Sequence, residues 1–108
     1  MKEKVSEFAE KVYSNLKKVP KGKVTTYREL AKSINSKSYQ AIGQVLRRNP
    51  FAPIVPCHRV VKSNGQIGGF MGETNGAAVA KKINLLKSEG IFVKDNCVVD
   101  FENKLFKF

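Results

Sequence analysis

Two short apolar stripes separated by a polar break constrain this chain more than any other feature. The first stripe is Tyr27, Leu30, Ala31 and Ile34, with Thr25 or Thr26 standing before it as an N-cap. The run NSKS (35–38) interrupts it, and a further helix is predicted over roughly 39–48. In that helix Ala41, Ile42, Val45 and Leu46 form the core side, while Gln40, Gly43, Gln44 and Arg47 fall on the opposite side. Two short helices joined by a brief turn, the second exposing Gln and Arg, read as a helix-turn-helix.

The surrounding segments fit around that unit. Val5, Phe8, Ala9, Val12 and Leu16 mark an amphipathic helix over 3–18, ended by Pro20 and Gly22 in VPKGKV (19–24). Asn49–Pro50 stops the 39–48 helix, and FAPIVPCHRVV (51–61) is expected to be extended but irregular because of Pro53 and Pro56. Asn64–Gly65 signals a hairpin turn between VVK and QIGGF, and Gly68, Gly69 and Gly72 suit a loop lining a pocket. A last helix over about 75–89 places Val79, Ile83 and Leu86 on one stripe and stops at Gly90. The tail, about 91–108, reads as a small terminal hairpin turning at Asp95–Asn96. The expected fold class is mainly α with a small β wing, a winged helix-turn-helix, in one domain over 1–108.

Charge narrows the partner. The chain carries a net +11 on 108 residues, the footprint of a polyanion such as nucleic acid. Phosphate contacts supply affinity and salt dependence, so charge alone says nothing of which bases are read. No apolar run is long enough for a membrane span, and MKEKVSEFAEKV lacks the apolar stretch of a signal peptide, so a cytoplasmic protein is expected. Two cysteines without a CxxC pair and a single histidine provide no usual zinc set, and a disulfide does not suit a reducing compartment.

The stretch Pro56-Cys57-His58-Arg59-Val60 is where chemistry is concentrated. A cysteine beside the only histidine and an arginine is a setting that can lower a thiol pKa. Side chains of consecutive extended residues point apart, so a bridging water is easier between Cys57 and His58 than a direct bond. Glu89 lies three and four residues after Leu86 and Leu85, beside an apolar stripe. It falls in the last turn of a helix, where the macrodipole disfavours an anion.

PCHRV, preceded by RNPFAPIV and followed by VKSNGQIGGF, closely resembles the active-site signature of the O6-alkylguanine-DNA alkyltransferases, or methylated-DNA–protein-cysteine methyltransferases. The resemblance runs from about Val12 to Gly90 and includes VPKGKVTTYRELA. It implies the family's C-terminal winged-helix catalytic domain without the usual N-terminal one, acting as a monomer on double-stranded DNA that contains O6-alkylguanine. It further implies a single-turnover transfer of the alkyl group, after nucleotide flipping, with no cofactor and no metal. By that resemblance Cys57 accepts the alkyl group, His58 activates it through a water, Glu89 orients His58, and Asn49 braces the turn around the site. Tyr27 crowds the 3′ phosphate and rotates the target nucleotide, backbone groups of Cys57 and Val60 read the flipped guanine, and Phe70 and Met71 line the pocket. Gln40, Gly43, Gln44 and Arg47 face DNA, and Arg59 anchors its own segment or a phosphate. Cys97, outside the resemblance, is expected to be a small packed residue.

Two positions depart from the family pattern. Gln40 stands where an intercalating arginine is usual, and Phe70 where a tyrosine is common, which keeps stacking but loses a phenolic hydrogen bond. A lesion-binding relative that cannot accept the group commonly carries tryptophan in place of the nucleophile, so Cys57 opposes that alternative. A sequence-specific regulator would account for the charge and the helices and leave Cys57, His58 and Glu89 without a role.

Overall fold

The computed structural model describes residues 6–48, 55–68 and 76–108. Helix α1 spans Glu7–Leu16, with the Ser6 hydroxyl as its N-cap accepting from the Ala9 N–H, and it buries Ala9, Val12, Tyr13 and Leu16. The amphipathic stripe is as expected from Phe8 onward, while Val5 lies outside the described residues. Tyr13, absent from the expected stripe, is also inward. Its hydroxyl donates to the Val45 carbonyl at 2.8 Å and so ties α1 to the later helix α3.

The two short helices form where the stripes put them. α2 runs Tyr27–Ser33 with Thr26 as its cap, accepting from the Glu29 N–H at 3.0 Å. α3 runs Tyr39–Arg47 with Ser38 as its cap, accepting from the Ala41 N–H at 3.0 Å. Leu30, Ala31, Ile42 and Leu46 are buried and join Val12, Leu16 and Val19 in one hydrophobic cluster. An Asn15 to Ser33 side-chain hydrogen bond of 2.9 Å adds a polar tie between α1 and α2.

Strands are very short. β1 (Thr25–Thr26) pairs in parallel with β2 (Val60–Val61), in the register Thr25 to Val60 and Thr26 to Val61. β3 (Val93–Lys94) and β4 (Cys97–Val98) form an antiparallel hairpin, and its turn residues Asp95 and Asn96 both have positive φ. That turn is the one the sequence predicts, because Asp and Asn tolerate the left-handed region.

Two expectations about strands are corrected. The turn at Asn64–Gly65 forms, with the Gly65 N–H donating to the Lys62 carbonyl, but VVK does not pair with QIGGF as a regular hairpin. Val60–Val61 takes β1 as its partner, and the segment beyond the turn pairs with the tail. Gln66 bridges Cys97, the Ile67 N–H donates to the Asn96 carbonyl, and the Val98 N–H donates to the Gly65 carbonyl. Both valines are fully buried, and the inner position beside β1 hides them better than a two-strand ribbon could. Gly65 is needed here, since its φ is +88° and a Cβ would stand 3.1 Å from the Phe101 ring. The tail, in turn, is not a hairpin throughout. After β4 it forms a helical turn, α5 (Phe101–Lys104), and then bonds to Val24 through the Phe106 N–H to Val24 carbonyl contact of 2.7 Å.

Helix α4 spans Ala77–Ser88, capped at its C-terminal end by Glu89, with Gly90 at φ +84°. The fold is mainly helical with small sheets, and no described helix is long and apolar enough to cross a membrane.

The first prediction concerns how α2 is held. Leu30→Ala, at a position with no exposure, should cost about 3 kcal/mol, and Thr26→Ala about 1 kcal/mol through loss of the cap. Urea denaturation should resolve both, and Thr26→Ser should recover most of the smaller loss.

Candidate functional site

Pro56 (φ −82°, ψ 70°) turns the chain inward, and Cys57–Arg59 form one 3₁₀ turn closed by the Val60 N–H donating to the Cys57 carbonyl. An extended course through these residues was expected, and the turn corrects it. The tighter turn shortens the path between Val55 and Val60, both fully buried, so that each reaches the core. Successive side chains in such a turn still diverge, so Cys57 and His58 point in different directions. Cys57 is 9% exposed and His58 2% exposed.

His58 and Arg59 converge on Glu89. The His58 Nε2 to Glu89 Oε2 distance is 3.0 Å. Arg59 donates through Nε to Glu89 Oε1 at 2.9 Å and through its Nη2 to Oε2 at 2.7 Å, a two-pronged pair. Its remaining Nη1 donates to the Val19 carbonyl at 2.8 Å. The guanidinium is thus committed inside the fold, which fits an anchor of this segment and not a phosphate contact.

The protonation states follow. Burial alone would raise the Glu89 carboxyl, but the hydrogen bonds from Arg59 and His58 outweigh it and hold its pKa below the ordinary value. Burial lowers the His58 pKa, against the raising effect of Glu89, so the imidazole is neutral near pH 7. An ionised carboxylate only accepts, so Nε2 carries the proton and donates it to Glu89. Nδ1 is then left with its lone pair, a base on the ring edge away from Glu89.

Lys82 was not foreseen. On α4 it is 1% exposed, and its Nζ donates to the Val60 and Ile67 carbonyls at 2.7 Å each. Burial lowers its pKa to about 7, with Cys57 opposing that shift. A neutral amine has two N–H groups, and these two carbonyls accept both. The stripe Val79, Ile83, Leu86 placed the inner face one residue off, because a lysine weighs as polar in any apolar periodicity. Lys82 shares the spacing Ala78, Lys82, Leu86, Glu89, and this i, i+4, i+8, i+11 run was the available signal.

Tyr27, the first residue of α2, is half-buried. Its pKa is raised by burial and, secondarily, by Cys57, which puts phenol and thiol in one electrostatic neighbourhood. It also packs against the first hydrophobic cluster, so the packing role and a role at the site coexist. The Val60 side chain is fully buried, leaving only its backbone to face a ligand. Its carbonyl already accepts from Lys82. On α3, Gln40, Gln44 and Arg47 are exposed and Gly43 is half-buried. Asn49, Phe70 and Met71 lie outside the described residues. Both cysteines are free, and Cys97 in β4 is half-buried, away from full packing.

A sequence family described as 6-O-methylguanine DNA methyltransferase, DNA binding domain, matches residues 7–91. A methylated-DNA–protein-cysteine methyltransferase of Methanosarcina acetivorans is 43% identical over 86 residues, covering 79% of this chain and 52% of the relative. The chain spans about half the length of the curated relatives it matches. Among solved structures, the O6-methylguanine-DNA methyltransferase of Pyrococcus kodakaraensis aligns with a TM-score of 0.69 at 42% identity, over 80% of this chain and 47% of that one. S. pombe Atl1, in complex with damaged DNA containing O6-carboxymethylguanine, aligns with a TM-score of 0.79 at 26% identity, over 98% of this chain and 100% of its own.

A buried amine with a folded pKa of about 7 against an ordinary 10.5 sets a pH dependence. Between those values the unfolded chain binds a proton that the folded chain does not, so stability rises with pH across that window. Denaturation from pH 7 to 10 should show a gain approaching about 1 kcal/mol per pH unit in the wild type. Lys82→Met should flatten that slope; an unchanged slope in the variant would assign the dependence to another group.

Proposed function

The chain belongs to the 6-O-methylguanine DNA methyltransferase family, and on that footing we propose that it repairs DNA by moving an alkyl group from the O6 of guanine onto Cys57. The observation that carries the reading is the turn that sets Cys57 next to a neutral His58, whose Nε2 is held by Glu89. The proposed unit is the family's catalytic domain with a winged helix-turn-helix, in which α2 and α3 are the two DNA-binding helices. It acts as a monomer in the cytoplasm, on double-stranded DNA.

The chemistry needs only this chain's own groups. The target nucleotide leaves the stack, because its O6 substituent is out of reach inside the duplex. His58 Nδ1 takes the thiol proton of Cys57 through a bridging water, and the Glu89 carboxylate stabilises the imidazolium that forms. The thiolate attacks the alkyl carbon, a carbon–sulfur bond forms, and the carbon–O6 bond breaks. The electron pair passes into the guanine ring, and the proton held by His58 balances the one that guanine regains. Holding the reacting atoms in line makes the step effectively unimolecular. The thioether is stable, so each molecule reacts once. Asn49, Phe70 and Met71 enter the proposal as the brace and the pocket wall, and Tyr27 as the group that turns the nucleotide. Gln40, Gln44 and Arg47 present α3 to DNA, and the uncharged Gln40 makes base extrusion less efficient than an arginine would.

The full-length likeness to Atl1 favours one second reading, in which the lesion is bound without transfer. The cysteine at position 57 separates the two. After incubation with duplex DNA containing O6-methylguanine, intact mass should show one added methyl per chain. Peptide mapping should put it on Cys57, and Cys57→Ser should abolish it while leaving DNA binding. Methyl found on Cys97 would refute the site, and binding with no transfer would select the second reading.

The relay has a separate test. His58→Ala and Glu89→Gln should each slow single-turnover transfer, the former by about 100-fold. The double variant should lose little more than His58→Ala alone, since both act through one proton acceptor. Multiplying losses would argue against a shared relay.

A further inference from the structure

Helix α3 carries a side chain that its packing does not explain. Tyr39 is the first residue of the helix and is 50% exposed, although the adjoining stripe of Ile42 and Leu46 is buried. The Ser38 cap fixes the start of the helix, so the tyrosine leaves the rigid end of an element seated on the core, not a fraying loop. One turn on stands Gly43, half-buried in the middle of the helix. A Cβ built there meets nothing within 4 Å, so no neighbour in the fold demands a glycine. Its backbone is helical, so no left-handed conformation demands one either. A mid-helix glycine that the fold does not need disfavours the helix, and its remaining use is to let another molecule approach the backbone. One further turn brings Arg47, exposed and cationic. Tyr39, Gly43 and Arg47 are spaced i, i+4, i+8 and so form one stripe along the helix: an aromatic ring, an open place and a positive charge.

We propose that Tyr39 is a DNA-contacting residue whose ring stacks on the base left exposed when the target nucleotide swings out, with Gly43 admitting the strand and Arg47 meeting a phosphate. The inference rests on the DNA-repair reading of α2 and α3 above and adds a residue to it. An extruded nucleotide leaves a hole in the stack, and leaving that hole empty forfeits base stacking. The N-terminal residues of the second helix in a helix-turn-helix are the ones that reach bases. Here those are Tyr39 and Gln40, of which only the tyrosine has a π face. Aromatic stacking tolerates any base, and this suits a protein that must act wherever the lesion lies. The excess of positive charge, net +11, brings the strand to this surface without choosing a sequence.

The test compares wild type, Tyr39→Ala, Tyr39→Phe and Gly43→Leu in the full chain. Three quantities are measured: single-turnover transfer from O6-methylguanine in duplex DNA, transfer from free O6-benzylguanine, and affinity for a duplex with a central abasic site. Tyr39→Ala should lower the duplex rate and the abasic-site affinity by about tenfold each, while Tyr39→Phe stays within about twofold of wild type. The free-base rate should be the same in wild type and both Tyr39 variants, because no stack has to be filled. Gly43→Leu should weaken duplex affinity and leave the free-base rate intact. The inference is overturned if Tyr39→Ala leaves the duplex rate and abasic-site affinity unchanged, or lowers duplex and free-base rates in parallel. It is equally overturned if Tyr39→Phe is as poor as Tyr39→Ala, since the hydroxyl and not the ring would then matter. Should the wild type transfer no alkyl group from either substrate, the alkyltransferase reading fails, and the abasic-site affinities alone decide for or against Tyr39.

Discussion

The carboxylate of Glu89 is the interaction on which the rest of the site depends. It stands at the C-terminal cap of α4, where the helix dipole makes an anion unwelcome, and it is largely shielded from water. Arg59 removes that difficulty with two hydrogen bonds and passes a third to the Val19 carbonyl beyond the end of α1. One ionic cluster therefore joins the end of α4, the turn holding Cys57 and the segment entering β1. Its geometry also fixes His58, because the carboxylate can only accept and the imidazole must present Nε2–H to it. A partly buried anion deprived of Arg59 would be strongly unfavourable, so the arginine supports the chemistry without touching it.

The site lies on a seam. Cys57 and Val60 belong to the hydrophobic cluster built around α1, α2 and α3, whereas Val61 and Ile67 belong to the cluster under α4 and the terminal hairpin. Lys82 crosses that seam, donating to one carbonyl on each side. An apolar residue there would leave both carbonyls unpaired, and a fully charged ammonium would be costly to bury. A lysine whose pKa falls to about 7 meets both demands as a neutral donor. The pairing of β1 with β2 crosses the same seam in the backbone, with Thr25 beside Val60 and Thr26 beside Val61.

Most of the helical architecture was legible. The stripes of α1, α2 and α3, the caps at Thr26 and Ser38, and the Asp95–Asn96 turn all depend on residues within a turn or two of each other. Their signals survive in a linear reading. Misreadings occurred where a partner is remote. Val60–Val61 has the composition of a strand, but its choice of Thr25–Thr26 over the nearby QIG segment follows from which position buries both valines. Tyr13 was overlooked because its inward placement depends on a carbonyl of α3 that receives its hydroxyl. α5 was missed because Phe101 must close over Gly65, which lies 36 residues earlier in the chain.

Sequence alone determined the local elements, the excess positive charge and the set of reactive residue types around PCHRV, together with the family they resemble. These are properties of short windows, set by side-chain periodicity, caps and turns. Tertiary structure decided which nitrogen of His58 is the base, where the guanidinium of Arg59 goes, and that a lysine in α4 sits neutral beneath the site. The reason is physical. Protonation and hydrogen-bond direction are set by desolvation and by the charges that surround a group. Here those charges come from residues 31 positions away for His58 and Glu89, and 40 away for Arg59 and Val19. No window of sequence contains both ends of such a contact, and only folding brings them together.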